Sequence, residues 1–467
     1  MFDRAVYVQR RKLLKRQMGN GLLLFLGNEE SPMNYPANTY PFRQDSSFLY
    51  FFGLDTPGVA AVIDVDAGAE TIFGDDISLE DVIWMGELPT VKDRAAAVGI
   101  KRTAPFSRLD ETIAQARKKG RPVHFLPPYR PETRDRLSGL MGIRPRDVGK
   151  RCSPGLIRAV VAQRSTKTDE EIAEIEKSLI VSRHMYSAAL AMVRPGLYES
   201  DIFGAIEGIA LAHGCLTAFP TILSMDAHVF HNQYHANRLE KGRLLIIDSG
   251  VSSARGYASD VTRTIPVSGT FSQKQKEIYE IVLAGQLQAI AAMRPGARFK
   301  DIHLATAKTM AAGLKETGLM KGDTDEAVAA GAHALFFPHG LGHMIGLDVH
   351  DMEGLGEDYV GYDATVKRSR QFGLAYLRMA KELRPGFVLT VEPGIYFVPA
   401  LIDRWKAEKR LAQFINYPLV EKYRDFTGVR IEDDVLVTKT GSRVLGKPIP
   451  KKAGEIEKVM AAAKAKR

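Results

Sequence analysis

The pattern of hydrophobic and polar residues in the first third of the chain predicts alternating helices and strands. Residues 2–18 and the stretch "LDETIAQARKK" have apolar residues at helical spacing. The short apolar runs "GLLLFLGN", "SFLYFFGL", "VAAVIDVD" and "RPVHFLP" are typical of buried strands. We therefore expect an α/β domain at the N-terminus.

A long amphipathic helix marks the beginning of a second domain. It starts at "TDEEIAEIEK", where Thr168 and Glu171 have capping-box spacing, and it ends at Pro195. The chain has 467 residues, which is more than the roughly 250–300 that one hydrophobic core organises. We predict an N-terminal domain over residues 1–160 and a second domain over residues 161–467.

The second domain contains an internal repeat. "MVRPGLYESDI" at 192–202 and "AMRPGARFKDI" at 292–302 share Arg, Pro, Gly, Asp and Ile at an offset of 100 residues. Each segment follows one amphipathic pattern and opens another, which predicts a duplicated helix-turn-helix unit around a shared sheet. A third "LRPG", at 383–386, leads into the strand-like "FVLTVEPGIYF" and is not another copy.

Composition and charge limit the class of protein. Hydrophobic residues make up 45% and charged residues 25% of the chain, as in ordinary globular proteins. No apolar run approaches the roughly 18 residues of a membrane span, and "LLLFL" is too short for a secretory core, so we expect a cytoplasmic protein without a membrane partner. The net charge of +9 is concentrated in the terminal segments, where solvated helix faces explain it better than a nucleic-acid partner.

Two aspartates lie in a predicted hairpin, "RLLIIDSGVSSARGYASDVTRTIPV". Asp248 and Asp260 are equally distant from residue 254, so a hairpin centred there places them opposite each other, about 5 Å apart at Cβ. Facing carboxylates in an apolar setting require a cation between them. The alternative is that each aspartate merely caps a strand end, because Asp is depleted from strand interiors.

Two glutamates interrupt strand-like segments in the same manner. Glu392 lies in "VLTVEPGIYF" and Glu432 in "GVRIEDDVLVT". Arg430 lies two residues before Glu432 on the same face and is a competing explanation, since it could neutralise that acid alone. Four acids with one histidine form an oxygen-rich ligand set that favours Mn²⁺ or a similar ion, and they exceed what one ion needs. The set therefore predicts two bridged ions, which can deprotonate a shared water.

The stretch "FFPHGLGHMIGLDVHD" offers His339, His343 and His350 as nitrogen ligands. His339 and His343 have the HxxxH spacing of zincins, but two intervening glycines disfavour a helix and no Glu follows the first histidine. A zincin site is therefore excluded. Any one of these histidines could be an ordinary polar residue, although four acids lacking a nitrogen partner favour a ligand here.

Five segments, in order, resemble a known family. "IDSG", "SDVTRT", "HGLGHMIGLDVHD", "VEPGIY" and "GVRIEDD" resemble the metal-ligand segments of the pita-bread metallopeptidases, in the branch of aminopeptidase P and prolidase. "YPFRQDSSFLYFFGL" resembles the N-terminal domain of that branch, which methionine aminopeptidases lack. The resemblance implies an α+β pita-bread catalytic domain with an internal pseudo-two-fold repeat. It also implies an Xaa-Pro exopeptidase with a two-metal-activated hydroxide, proline-containing peptides as substrates, and a homodimer or homotetramer.

The resemblance also implies roles for individual residues. The metal ligands are Asp248, Asp260, His343, Glu392 and Glu432, with Mn²⁺ expected and Co²⁺ or Zn²⁺ as alternatives. The catalytic residues are Glu392 as proton shuttle, His231, His339, His350 and, in support, Arg430. His231 and His350 also contact substrate, and His235 competes with His231 for that position.

The length of the substrate stays open. Arg378 matches the prolidase arginine that receives a dipeptide's free carboxylate, which gives a strict dipeptidase as the alternative; against it, the surrounding pattern predicts an amphipathic helix with a solvated arginine. "RQDSS" and the pair Ile83 and Trp84 look more like aminopeptidase P. Segments 224–231 and 352–372 depart from both patterns near the expected pocket. A creatinase-like amidinohydrolase and a non-catalytic binding protein on the same fold are further alternatives, but both are expected to lack acidic ligands that this chain retains.

Overall fold

The chain divides into two units in the computed structural model, which describes residues 1–466. The first unit comprises Met1–Arg164 with Glu353–Tyr359. The second comprises Ser165–Met352 with the chain from Val360 onward. Each unit has its own sheets and its own buried side chains.

The first unit is built on a five-stranded mixed sheet in the order β6-β5-β4-β1-β7. Its strands and those of a small hairpin are β1 (Leu22–Leu26), β2 (Pro32–Tyr35), β3 (Asn38–Thr39), β4 (Ala60–Asp64), β5 (Ala69–Phe73), β6 (Arg102–Ala104) and β7 (Val123–His124). Its helices are α1 (Arg4–Met18), α2 (Ser46–Phe52), α3 (Leu79–Met85), α4 (Val91–Ala97), α5 (Arg108–Lys118), α6 (Pro131–Met141), α7 (Val148–Arg151) and α8 (Pro154–Ser165). Leu24 and Val62 from the sheet and Ile113 from α5 belong to one buried cluster. The predicted α/β class is confirmed.

The prediction of a strand at "SFLYFFGL" is wrong, because this run forms helix α2. Asp45 caps the helix by accepting a hydrogen bond from the Phe48 amide at 2.8 Å, and Gly53 ends it in the left-handed conformation. The helix is buried over most of its surface, so its apolar residues continue all round. An apolar run of this length does not distinguish a buried strand from a buried helix.

The second unit contains short sheets surrounded by long helices. Its strands are β8 (Leu216–Thr217), β9 (Ile222–Ser224), β10 (Leu244–Ser249), β11 (Val251–Ser252), β12 (Val261–Pro266), β13 (Val388–Val391), β14 (Gly394–Tyr396), β15 (Gly428–Arg430), β16 (Asp433–Val437) and β17 (Ser442–Val444). Its helices are α9 (Asp169–Met192), α10 (Glu199–Ala212), α11 (Gln273–Ala292), α12 (Phe299–Glu316), α13 (Thr324–Ala329), α14 (Glu357–Gly361, of which 357–359 are assigned to the first unit), α15 (Pro399–Ala407), α16 (Tyr417–Val420) and α17 (Ala453–Lys464). Thr168 and Glu171 form the predicted capping box of α9. Within residues 1–466, no helix has the length and apolar character needed to cross a bilayer.

The internal repeat is visible in equivalent contacts of its two copies. Helix α9 leads into α10, and α11 leads into α12, through turns in which Gly196 and Gly296 have positive φ. The Gly196 amide donates to the carbonyl of Leu239, and the Gly296 amide donates to that of Leu383. Each acceptor lies a few residues before the first strand of an acid-bearing antiparallel strand pair, β10 with β12 in one half and β13 with β16 in the other. We call these pairs the first and second hairpins, although a long connection with β14, α15, α16 and β15 separates the strands of the second. The predicted pseudo-two-fold repeat is confirmed, and it relates the two hairpins as well as the helices.

The register of the first hairpin differs from the prediction. Strands β10 and β12 pair Asp248 with Thr262 and Ser249 with Val261, so the hairpin is centred one residue later than expected. Asp248 and Asp260 are therefore diagonal neighbours on one face rather than directly opposite. Symmetric spacing about an assumed turn could not reveal this one-residue shift, because the turn geometry fixes the register.

Candidate metal centre

Acidic residues from both hairpins meet at His343. Ligand atoms of Asp260, His343 and Glu432 all lie within 4.8 Å of one another. The Nε2 atom of His343 is 3.5 Å from Oδ2 of Asp260 and 3.6 Å from Oε1 of Glu392. Asp260, His343 and Glu432 are buried, and the Glu392 side chain is partly buried, with 18% of it exposed. The structure thus brings together residues that lie far apart in the sequence.

The acids lie at or near strand ends. Asp248 is the penultimate residue of β10, and Asp260 directly precedes β12. Glu392 directly follows β13, and Glu432 directly precedes β16. An isolated antiparallel bridge between Thr262 and Glu432 connects the two hairpins. The position of the acids at strand ends fits the alternative that each acid merely caps a strand. Their burial in one cluster does not fit it, since a capping side chain reaches solvent or a backbone amide.

The backbone around His343 fixes its ring. The His343 amide donates to Oγ1 of Thr390 at 3.1 Å, and the Thr390 amide donates back to the His343 carbonyl at 3.0 Å. A Cβ on Gly342 would lie 2.0 Å from the Thr390 carbonyl oxygen, so only glycine fits this approach. The Nδ1 atom lies 3.0 Å from the Met344 carbonyl and is satisfied as a donor, which directs the lone pair of Nε2 at the acids. The loop is not helical, as expected from its glycines.

The electrostatics of the cluster favour a bound cation. Burial, together with the neighbouring carboxylates, raises the pKa of both Asp260 and Glu432. Burial raises the pKa of Glu392 to about 7; Arg430 opposes this shift and Asp248 adds to it. Burial also lowers the pKa of His343, which keeps the ring neutral and able to donate its lone pair.

Two oxygen atoms of the cluster lack hydrogen-bond partners. They are Oδ1 of Asp248 and Oδ1 of Asp260, and both are buried. A buried carboxylate oxygen without a donor is costly, whereas coordination to a divalent cation satisfies it. The described residues therefore fit a divalent metal site with hard oxygen donors and one imidazole.

Arg430 is bound to a different acid from the one suggested by the sequence. It forms an ion pair with Asp248 through Nη2, donates to Oγ1 of Thr262 at 3.1 Å through Nε and to the hydroxyl of Tyr396 at 2.9 Å through Nη1. The Thr262 hydroxyl in turn donates to Oε2 of Glu432 at 2.6 Å. Simple neutralisation of Glu432 by Arg430 is therefore not what the contacts show, because Thr262 lies between them.

The remaining histidines of the sequence analysis occupy different environments. His339 lies 3.8 Å from Glu392 (Nδ1 to Oε2), and its Nε2 is 3.0 Å from the Tyr396 hydroxyl. The His350 ring centroid is 4.3 Å from that of His343. Burial, followed by the charge of Arg430, lowers the pKa of His339 to about 3. His231 is exposed, but it is close enough to His339 to add to this shift. His235 instead stacks on Phe203 with centroids 4.2 Å apart and contacts the Leu223 carbonyl.

The prediction that Arg378 lies in an amphipathic helix is wrong. Only one 3₁₀ turn, Leu374–Tyr376, forms before the chain bends at Arg378. The Tyr362 hydroxyl donates to the Leu377 carbonyl at 2.6 Å, and Arg368 donates to the carbonyls of Ala375 and Leu377. These carbonyls are engaged by side chains of the 352–372 segment instead of by helical amides. The charge of Arg378 contributes to lowering the pKa values of His339, His343 and Glu392, so Arg378 lies within electrostatic range of the cluster.

Comparison with known proteins agrees with this geometry. The model of metallopeptidase family M24 matches residues 173–439, and that of the aminopeptidase P N-terminal domain matches residues 7–124. The chain belongs to metallopeptidase family M24. It is 31% identical to the Xaa-Pro aminopeptidase of Escherichia coli, over 99% of both chains. It is also 31% identical to the human Xaa-Pro dipeptidase, over 97% of this chain and 92% of that one. The solved structure of aminopeptidase P from E. coli with the inhibitor Pro-Leu aligns with a TM-score of 0.81 at 30% identity, covering 99% of both chains.

Thr262 and Tyr396 are site residues of this M24 chain that sequence reasoning missed. Thr262 lies two residues after Asp260, and Tyr396 lies four after Glu392, so strand periodicity places each on the face of the acid it follows. That periodicity was the available signal. Neither residue stands out by type, because Thr and Tyr are common in strands.

We predict that the Thr262→Val variant binds divalent cations about 10- to 100-fold more weakly, since ligand-supporting hydrogen bonds contribute on this scale. The change leaves Oε2 of Glu432 and Nε of Arg430 without the Thr262 partner. Isothermal titration of Mn²⁺ into chelator-treated protein measures the effect. Thr262→Ser keeps the hydroxyl and is the matched control. Equal affinities of the Val and Ser variants would show that the hydroxyl has no such role.

Proposed function

We propose that the chain is an Xaa-Pro exopeptidase that binds two divalent cations, preferably Mn²⁺, through Asp248, Asp260, His343, Glu392 and Glu432. The observation that carries the proposal is the buried cluster of acids around the neutral His343, with Oδ1 of Asp248 and of Asp260 unsatisfied. The relatives named Xaa-Pro aminopeptidase and Xaa-Pro dipeptidase supply the substrate class. When bound, such a pair of cations lowers the pKa of a water and polarises the peptide carbonyl.

Glu392 moves the proton in this proposal. Its carboxylate lies 3.6 Å from Nε2 of His343 and is only partly buried, so it can accept a proton from the attacking water and pass it on. The proline nitrogen must receive a proton when the bond breaks, because an unprotonated nitrogen is too basic to leave. Glu392 delivers that proton to the departing proline nitrogen.

His339, His350 and His231 act on the substrate rather than on metal. The low pKa of His339 keeps its ring neutral, and its contact with Tyr396 fixes the orientation of the ring. His350 lies against His343, at the edge of the cluster, where a donor stabilises negative charge on the carbonyl oxygen. Arg430 supports the site by holding Asp248 and, through Thr262, Glu432.

Removal of metal tests the proposal directly. We expect a chelator to abolish hydrolysis of Xaa-Pro peptides and Mn²⁺ to restore it more fully than Mg²⁺, because one ligand is an imidazole nitrogen. Product release measured by chromatography, with metal content determined by atomic emission, gives the result. Full activity in metal-free protein would refute a metal-dependent exopeptidase.

A strict dipeptidase is the second candidate, and the electrostatic influence of Arg378 on the cluster favours it. Arg378 carries its charge close to His339 and Glu392, where it can receive the free carboxylate of a dipeptide. A longer peptide has no carboxylate at that position. The two candidates therefore differ in their dependence on Arg378.

We predict that Arg378→Ala lowers kcat/KM for an Xaa-Pro dipeptide by about 10- to 100-fold, the range of a charge-assisted hydrogen bond. Hydrolysis of an Xaa-Pro tripeptide is expected to change little. Arg370→Ala, at an exposed position of the neighbouring segment, is the charge-matched control. Unchanged dipeptide turnover in Arg378→Ala would eliminate the carboxylate clamp.

We further propose a homodimer or homotetramer that covers helix α3. This helix has no buried residue, and Leu79, Ile83 and Trp84 are 79%, 74% and 80% exposed. Adjacent exposed apolar side chains are typical of a protein interface. We expect light scattering to give a dimer or tetramer for the wild type and a smaller species for Trp84→Glu. A monomeric wild type would contradict this proposal and leave the proposed reaction unaffected.

A further inference from the structure

A fully buried ion pair lies beside the metal centre but has no part in the proposed chemistry. Nζ of Lys167 is 2.9 Å from Oδ2 of Asp351, and each side chain is 1% exposed. Burying two charges is costly unless their geometry is good and their other hydrogen bonds are made. The role of this pair follows from its contacts with the loop that carries His343 and His350.

Asp351 fixes the loop that carries two of the site histidines. It directly follows His350, and its amide donates at 2.8 Å to the Met344 carbonyl. The same carbonyl lies 3.0 Å from Nδ1 of His343. Oδ1 of Asp351 accepts a hydrogen bond from the amide of Asp348 at 3.3 Å. Asp351 therefore closes the loop between the proposed metal ligand and His350.

Lys167 anchors that loop to the second hairpin. Its amide donates at 2.8 Å to the carbonyl of Gly386, two residues before strand β13, which leads to Glu392. Lys167 also directly precedes Thr168, the N-cap of α9. The charge on Lys167 is thus held by a backbone that is fixed on both sides.

The loop is shaped around this pair. A Cβ on Gly346 would lie 2.5 Å from Oδ2 of Asp351 and 3.0 Å from Cε of Lys167. Met352, which directly follows Asp351, is buried and has a φ of 66°, a conformation that non-glycine residues rarely adopt. Such a conformation persists where surrounding contacts determine it, and the ion pair is the contact next to it.

We propose that Lys167 and Asp351 are positioning residues that hold His350 in its place against His343. The inference rests on the substrate role of His350 in the proposed function. Because Lys167 belongs to neither the ligand set nor the substrate-facing histidines, it acts on the reaction only through the loop. Its removal lets His350 move while the acids of the two hairpins remain in place.

A double-mutant cycle on the metal-loaded full-length protein tests the inference. We expect Lys167→Met to lower kcat on an Xaa-Pro peptide by about tenfold or more, since a misplacement near 1 Å has effects of this size. In the His350→Ala background the same change is expected to lower kcat less than about twofold, because residues that act together are not additive. KM and bound metal should change little. Equal effects in both backgrounds, or a loss of kcat that follows loss of metal, would overturn the inference.

A second variant keeps the test informative if Lys167→Met fails to fold. Lys167→Met combined with Asp351→Asn leaves no unpaired charge in the interior. This pair variant is expected to fold, as judged by circular dichroism, and still to lose kcat; a folded pair variant with wild-type kcat would refute the positioning role. Glu70→Gln breaks the Arg11–Glu70 ion pair in the first unit and is the control expected to leave kcat unchanged.

The outcomes also separate this inference from the proposed function. If His350→Ala itself keeps wild-type kcat, the assignment of His350 is wrong and the inference falls with it. If His350→Ala lowers kcat and Lys167→Met does not, only the positioning role is wrong.

Discussion

Mutual repulsion among buried carboxylates is the constraint on which the second unit depends. Asp248, Asp260, Glu392 and Glu432 approach one another where little water screens them. The fold offsets part of this repulsion with Arg430 and leaves the rest for a cation. Behind the site, Arg263 donates to the carbonyl of Glu432 at 2.7 Å and is paired with Asp433. The guanidinium of Arg263 therefore holds the two hairpins together from the side opposite the acids.

The internal repeat explains how the repelling groups are brought to one place. Each half supplies two helices, a turn that bonds to a carbonyl preceding a strand, and one acid-bearing hairpin. The two halves differ in register. Asp248 is paired with Thr262, whereas the β13/β16 register, continued by one residue, places Glu392 opposite Glu432. The offset between the aspartates lets Thr262 lie between Arg430 and Glu432. A small asymmetry thus creates the hydrogen-bond network of the site.

The sequence was informative where a charged residue stood in an otherwise apolar segment. Charged residues in apolar strand-like segments, such as Glu392, stood out because their burial requires a partner, and the structure brings them together at His343. Thr262 was missed because it fits an ordinary strand, so its function lies entirely in its hydrogen bonds. The helix expected around Arg378 does not form because Arg368 and Tyr362 bind the backbone there. Such long-range competition for carbonyl groups leaves no local pattern.

Two kinds of positive or polar group surround the acids, and they are suited to different tasks. Arginine remains charged at any physiological pH, whereas burial and the nearby Arg430 keep His339 neutral, with a pKa of about 3. A permanent charge can receive a carboxylate or stabilise an acid, but it cannot also accept a hydrogen bond. A neutral imidazole can donate one hydrogen bond and accept another, and the ring of His339 bonds to the Tyr396 hydroxyl. Burial, with the charge of Arg430 in second place, thus keeps His339 neutral, so a permanent charge and a neutral hydrogen-bonding ring coexist in one small site.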